Sequence, residues 1–360
     1  MAEAVRRPRW RRLLAGVCLA LFAAALLGPR SRALAPPSLS PDVPRSPAAL
    51  AAWIEAREAA VPGLRAGTAA RIVWADPARP ARAPCAIVYL HGFTASHGEG
   101  APTHAQLARR FGCNLYLPRL PGHGLDADDA LRGIDAAQLH AAAAEALAVG
   151  GVLGERVVVV GSSMGGALAL QAVAGRPAGV RALVLWSPLV RETGDRLRAL
   201  GWPWGAHALS WSKNGGDPVM RWRSDHPYWA SAAHLDGYRA LYALTRGGMT
   251  ADTYARITAP VFLGYYYRDP EHQDPTVSVA QMHSMFAQLG TPPALREAVA
   301  FPDAEAHVIA SPLRSRAVPD VFAATCRFLH ARAEMPLAAG RTGCEPEADN
   351  IVDTPAAHGR

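Results

Sequence analysis

The sequence predicts an α/β fold, a mostly parallel sheet with helices on both faces, and three features predict it. Seven short apolar runs recur between residues 70 and 301, several of them apolar at consecutive positions, as strands covered on both faces must be. Helix-like segments separate the runs, and strand–helix alternation over this length gives a parallel sheet. A run of four valines at 157–160 also passes through a Gly/Ser turn straight into an apolar helical stretch. Of the 360 residues, half are apolar and 19% charged, which excludes an intrinsically disordered chain. The 32 glycines and 30 prolines follow no fixed period, which excludes collagen and solenoid repeats.

The chain starts basic. Arg6, Arg7, Arg9, Arg11, Arg12, Arg30 and Arg32 face only Glu3 in the first 32 residues, so nearly all of the net charge of +7 sits there. The remainder is close to neutral and offers no clustered basic face, so no nucleic-acid partner is expected. Residues 13–28 (LLAGVCLALFAAALLG) carry no charge. They span about 24 Å as a helix, short of a hydrocarbon core of roughly 30 Å. A basic start followed by a short apolar run predicts, over 1–35, either a cleaved secretory signal or an uncleaved membrane anchor. Ala33-Leu34-Ala35 offers a cleavage site, and Pro36 directly after it counts against cleavage. Either way the body is expected beyond the membrane, anchored and facing the periplasm or exterior, or exported. Residues 36–47 read as a stiff Pro/Ser linker, and a leading helix completes the stretch to 69.

The strand-like runs are 72–75, 86–90, 114–118, 157–160, 182–186, 261–267 and 298–301. Asp135 is placed to cap a helix reaching Val149, with Leu139, Ala143 and Leu147 on one face. Residues from about 190 to 256 break the rhythm. They hold no strand-like run but contain five of the nine tryptophans, Trp202, Trp204, Trp211, Trp222 and Trp229, and read as an insertion between core strands. Those indoles suit an apolar pocket or a membrane-facing lip, or else form the insertion's own small core. The α/β body is expected over 70–335 and a disordered Gly/Pro/acidic tail over 336–360. Cys18, Cys85, Cys113, Cys326 and Cys344 lack metal-ligand spacing. An oxidising compartment would permit one disulfide, and free thiols are the plainer expectation.

The sharpest chemical signal is Gly161-Ser162-Ser163-Met164-Gly165 between a strand and a helix. A G-x-S-x-G turn in that setting lifts its central serine, here Ser163, above the sheet as a nucleophile. The strand at 86–90 runs into His91-Gly92-Phe93, whose loop N–H groups, with that of Met164, would face an oxygen turning negative under attack. Leu117-Pro118-Arg119-Leu120 opens into Pro121-Gly122-His123-Gly124 near the same edge. His91 and His123 precede glycines in tight turns and are expected to be structural.

These three motifs, in this order, resemble the α/β-hydrolase superfamily, and within it the group of monoacylglycerol lipases, lysophospholipases and S33 serine peptidases. The resemblance extends over about residues 70–332. It implies an α/β-hydrolase fold whose insertion forms a helical cap over the site, and an acid and a base following the nucleophile in the chain. His307, in FPDAEAHVIAS just past the last strand, matches the base. His283, on a helical run, is expected to be an exposed helix residue, and His272 is the other competitor. Asp274-Pro275-Thr276-Val277 matches the D-x-x-V pattern of the acid, whereas Asp269 matches its closeness to the strand; about five inserted residues separate the two cues. Asp274 is the preferred acid and Asp269 the alternative.

The resemblance then implies a serine hydrolase of carboxylic esters, with Ser163, Asp274 and His307 as triad and the Phe93 and Met164 N–H groups as oxyanion hole. No metal or organic cofactor is implied. With the N-terminal segment at a membrane, a lipid-like ester such as a monoacylglycerol is favoured as substrate. An S33-like aminopeptidase would need an acidic cap residue for the free amine, for which Glu192, Asp195 and Asp217 are available. A catalytically silent binding protein on the same fold is the third reading.

Overall fold

The computed structural model describes residues 9–33, 41–175, 179–224 and 226–346. Leu34 and Ala35 of the expected cleavage site, residues 36–40 of the linker and residues 347–360 of the expected tail lie outside them. In chain order, α1 (Arg9–Leu27) and α2 (Pro47–Ala59) lead into β1 (Arg71–Val73), β2 (Ala83–Leu90), α3 (Thr103–Phe111) and β3 (Asn114–Leu117). Then come α4 (Ala136–Leu153), β4 (Gly154–Ser162), α5 (Met164–Gly175) and β5 (Val180–Trp186). Before the core resumes lie α6 (Gly205–Asn214), β6 (Val219–Arg221), β7 (Ala232–His234), α7 (Leu235–Gly248) and α8 (Ala251–Ala255). The last elements are β8 (Val261–Tyr265), α9 (Val279–Ala287), β9 (Arg296–Ala300) and α10 (Val318–Ala331).

Seven strands form one sheet in the order β1-β3-β2-β4-β5-β8-β9. Only β1 runs antiparallel to its neighbour; every other pair is parallel. The unbroken apolar runs follow from this layout. In β2, Ala86, Val88 and Leu90 pack on one face with α4 and α5, while Cys85, Ile87 and Tyr89 pack on the other with α3 and α10. The outer strands β1 and β9 are only partly covered and are correspondingly more polar.

Asp135 caps α4 through a capping box with Gln138, and Leu139, Ala143 and Leu147 are buried. The helix continues past Val149 to Leu153 because Gly150 lets it close onto the sheet. A Cβ at 150 would lie 2.6 Å from Val88 Cγ2.

Three expectations are overturned. The segment 190–256 does contain strands: β6 and β7 pair antiparallel, each too short to show a periodic pattern in sequence. Two disulfides form, Cys85–Cys113 and Cys326–Cys344. The first follows from register, since β2 and β3 pair Ala86 with Asn114 and so set the preceding cysteines side by side. Residues 337–346, within the expected disordered tail, are held against the body. Cys344 is buried, and Arg110 donates to the carbonyls of Gly343 and Glu345.

Among the described residues, α4 is the one helix long and apolar enough to cross a membrane by length and composition, and more than half of it is buried in the core. The apolar part of α1, Leu13–Leu27, is shorter. It exposes Leu13, Leu14, Val17, Leu19, Leu21, Phe22, Leu26 and Leu27.

Candidate active site

The parallel strands β4, β5, β8 and β9 all end at one edge of the sheet, and the candidate residues lie there, as expected for open α/β sheets. Ser163 occupies the turn between β4 and α5 with φ of +52°, a left-handed conformation that costs a non-glycine residue about 1–2 kcal/mol. The surroundings hold it there. Its N–H donates to Trp186 O at 3.1 Å, and its carbonyl accepts from Gly166, Ala167 and Leu189 N–H. The flanking glycines leave the required space: a Cβ at 165 would sit 1.9 Å from Leu90 O, and one at 161 would sit 2.5 Å from Gly165 O.

The loop after β8 carries both candidate acids and separates them. Tyr267 and Gln273 bridge antiparallel, so residues 268–272 bulge out as a small hairpin and the chain returns to the sheet edge at Asp274, whose N–H donates to Tyr266 O. Asp269 stays in the bulge, with its side chain 43% exposed and bonded to His272. Asp274 is fully buried. Its Oδ1 accepts the N–H groups of Thr276 and Val277 at 2.8 and 2.9 Å. Its Oδ2 lies 2.7 Å from His307 Nδ1, which places the proton on Nδ1 and leaves Nε2 free to accept. Burial disfavours charge on both groups, but their mutual attraction and hydrogen bonds outweigh it. The Asp274 carboxyl therefore titrates below its ordinary value and the His307 imidazole above its own. Ser163 and His307 share the edge, although no hydrogen bond joins them among the described residues; bonds of this kind are often long until substrate binds.

His91-Gly92-Phe93 continues β2 beside this edge. His91 is fully buried; its Nδ1 donates to Gly92 O at 3.0 Å and its Nε2 accepts the Leu120 N–H at 3.2 Å. His123 Nδ1 donates to Pro121 O, and burial lowers its pKa to about 4. Both imidazoles are thus neutral and committed to backbone. His283, on the exposed side of α9, contacts the Tyr265 hydroxyl at 2.7 Å. Neither the Phe93 nor the Met164 N–H has a backbone acceptor among the described residues.

Comparison with known proteins agrees with this architecture. The model of the alpha/beta hydrolase family matches residues 87–339. The chain belongs to that family. Solved structures of similar fold include a structure from work on LipS and LipT, two metagenome-derived lipolytic enzymes (16% identity, TM-score 0.55, 68% of this chain and 91% of that one). Others are a monoacylglycerol lipase of Paleococcus ferrophilus (16%, 0.52, 69% and 94%) and a soluble variant of monoglyceride lipase from Saccharomyces cerevisiae (11%, 0.53, 74% and 91%). No curated protein matches the chain.

Over the edge of this α/β hydrolase lies the segment 190–256. The Phe93 ring packs against Tyr238 of α7 with centroids 5.1 Å apart, and Ala230 N–H donates to Thr94 O. Its buried aliphatic residues, Leu197, Leu200, Ala206 and Leu235 among them, join the core that α4 and α5 form on the sheet. The tryptophans do not join it: Trp202, Trp204, Trp211 and Trp222 are exposed, and Trp229 is half-buried under the Arg314 guanidinium. Trp204 Nε1 donates to Ala24 O, and Trp204 N–H to Pro29 O, tying the segment to the end of α1. A cleft of about 730 Å³ around Trp53, Arg57 and Arg119 lies away from Ser163 and His307. The half-buried Arg119–Glu58 pair beside it links α2 to the loop after β3. Among the described residues no cluster of three or more His, Cys, Asp or Glu side chains could hold a metal.

One buried carboxyl escaped the sequence analysis. Glu99, in the 3₁₀ turn His97–Gly100, accepts the Gly92 N–H at 2.6 Å and contacts the Tyr89 hydroxyl at 3.2 Å. Its sole signal in the sequence is a lone carboxylate in the otherwise uncharged stretch 92–107.

Proposed function

We propose that the protein is a serine hydrolase of carboxylic esters. The observation that carries this reading is the 2.7 Å contact between His307 Nδ1 and a buried Asp274, at the edge where Ser163 stands strained between two packed glycines. His307 Nε2 takes the Ser163 proton as the oxygen attacks the ester carbonyl, and Asp274 keeps the imidazole in the required tautomer and stabilises the imidazolium. The Phe93 and Met164 N–H groups hold the oxyanion. The alcohol leaves with the proton from His307, and water activated by the same imidazole releases the acid.

A lipid-like ester is the favoured substrate class, with α1 as the attachment to a membrane and the body on its outer side. The exposed apolar length of α1, the exposed Trp204 bonded to its end, and the exposed Trp202 and Trp211 of the same segment support this, since indoles suit the interface between water and lipid. The aminopeptidase reading loses its support. Glu192 is bound to Arg246 and the Leu197 N–H, Asp195 to Arg246, and Asp217 to Arg221, so each candidate amine-binding acid already has a cationic partner.

Labelling with a fluorophosphonate probe, alongside hydrolysis of p-nitrophenyl esters, monoacylglycerols and aminoacyl anilides, tests the proposal. Labelling and ester hydrolysis that vanish in Ser163→Ala support it. Folded wild-type protein that does neither supports the silent reading instead.

A further inference from the structure

Glu99 is a buried carboxyl that the reaction above leaves unused, and its partners converge from four directions. Gly92 of the loop after β2 donates its N–H at 2.6 Å, a length typical of charge-assisted bonds or shorter. Tyr89 within β2 reaches it with its hydroxyl, which also contacts Ser162 Oγ at the end of β4. The Trp229 indole donates to it, and His307 in the loop after β9 lies within Coulombic range. Residue 92 must be glycine for this approach, because a Cβ there would stand 2.7 Å from Glu99 Oε1.

The consequence lies in the peptide planes around Gly92. The carbonyl of the Gly92–Phe93 peptide is held by His91 Nδ1, and in a trans peptide the Phe93 N–H points the opposite way. The preceding peptide is held through its N–H by Glu99. Both planes are thereby fixed, and with them the direction of the Phe93 N–H.

We propose that Glu99 is a positioning residue: its carboxylate latches the Gly92 N–H so that the Phe93 N–H is aimed at the substrate's oxyanion, and its charge supports the basicity of His307. Burial pushes the Glu99 carboxyl up to about 7, against the pull of the Gly92 N–H, His307, Tyr89 and Trp229. The latch therefore changes charge near neutral pH. Asp274 and Glu99 are the two acids acting on His307, and both favour its protonated form.

This inference rests on the serine-hydrolase reading, and its test separates the two. In the full-length protein, Glu99→Gln keeps an acceptor for Gly92 but removes the charge. Its kcat on p-nitrophenyl butyrate should fall about tenfold with KM little changed, and Glu99→Ala should lose on the order of a hundredfold, as for a lost oxyanion donor. The acid limb of the Glu99→Gln profile should move to lower pH, because His307 has lost a negative neighbour; a purely structural role would not move it. Wild-type protein needs no variant to fold, and its acid limb should be steeper than a single proton allows. Folded Glu99→Gln with wild-type kcat and an unmoved limb overturns the proposal, as does a one-proton limb in the wild type. Wild-type protein with no esterase activity counts against the hydrolase reading itself.

Discussion

Replacing Asp274 with Asn tests the proposed acid in a way the surrounding bonds make specific. Oδ1 takes two backbone N–H groups, from Thr276 and Val277, so an asparagine must keep its carbonyl oxygen there, because an NH₂ group would face two donors. Its NH₂ then replaces Oδ2 opposite His307 Nδ1 and can only donate. The imidazole is driven to the tautomer with its proton on Nε2, where it cannot accept from Ser163. The expected loss is about 10⁴-fold in kcat, or roughly 5.5 kcal/mol of transition-state stabilisation. The fold should survive, since both backbone bonds persist. Steady-state hydrolysis of p-nitrophenyl butyrate and the rate of fluorophosphonate labelling measure this, with Asp269→Asn as control because that side chain bonds only within its own exposed bulge. An Asp274→Asn enzyme within about tenfold of wild type, or an Asp269→Asn enzyme that loses more, would refute the reasoning.

Four further outcomes are expected. The His307 imidazole must be neutral to accept a proton and its pKa is raised, so kcat/KM should fall as pH drops through a midpoint above the ordinary value of about 6.5; a midpoint below that value would contradict the contact with Asp274. Gly165→Ala forces a methyl against Leu90 O and should cost about 3 kcal/mol or more, read as a lowered Tm with loss of labelling. Reducing Cys85–Cys113, or replacing both with Ser, should remove about 3.5 kcal/mol for a loop of 28 residues, measured by urea unfolding of oxidised protein. Trp202→Ser with Trp211→Ser should weaken cosedimentation with anionic phospholipid vesicles several-fold while hydrolysis of a soluble butyrate stays unchanged; equal cosedimentation argues against the indoles as a lipid-facing surface.

The core strands were legible because burial on both faces writes itself into consecutive apolar residues, as in Val157, Val158, Val159 and Val160 of β4, whereas the short β6 and β7 and the order of strands in the sheet were not. Gly161, Gly165 and the cap at Asp135 were equally legible, since each answers a local demand for space or for a hydrogen-bond acceptor. The choice between Asp274 and Asp269 was open in the sequence, where the two cues pull apart. The bridge from Tyr267 to Gln273 separates their surroundings, because a bulge carries its residues away from the sheet while its ends stay fixed.

Amino-acid order alone determined the fold class and the turn that bears Ser163, both products of short-range pattern and sterics. Tertiary structure alone decided which cysteines meet, where the tryptophans of the insertion point, and that Glu99 lies under Gly92. Those pairings join segments whose neighbours are set by strand order and packing, and no local periodicity encodes who will stand beside whom.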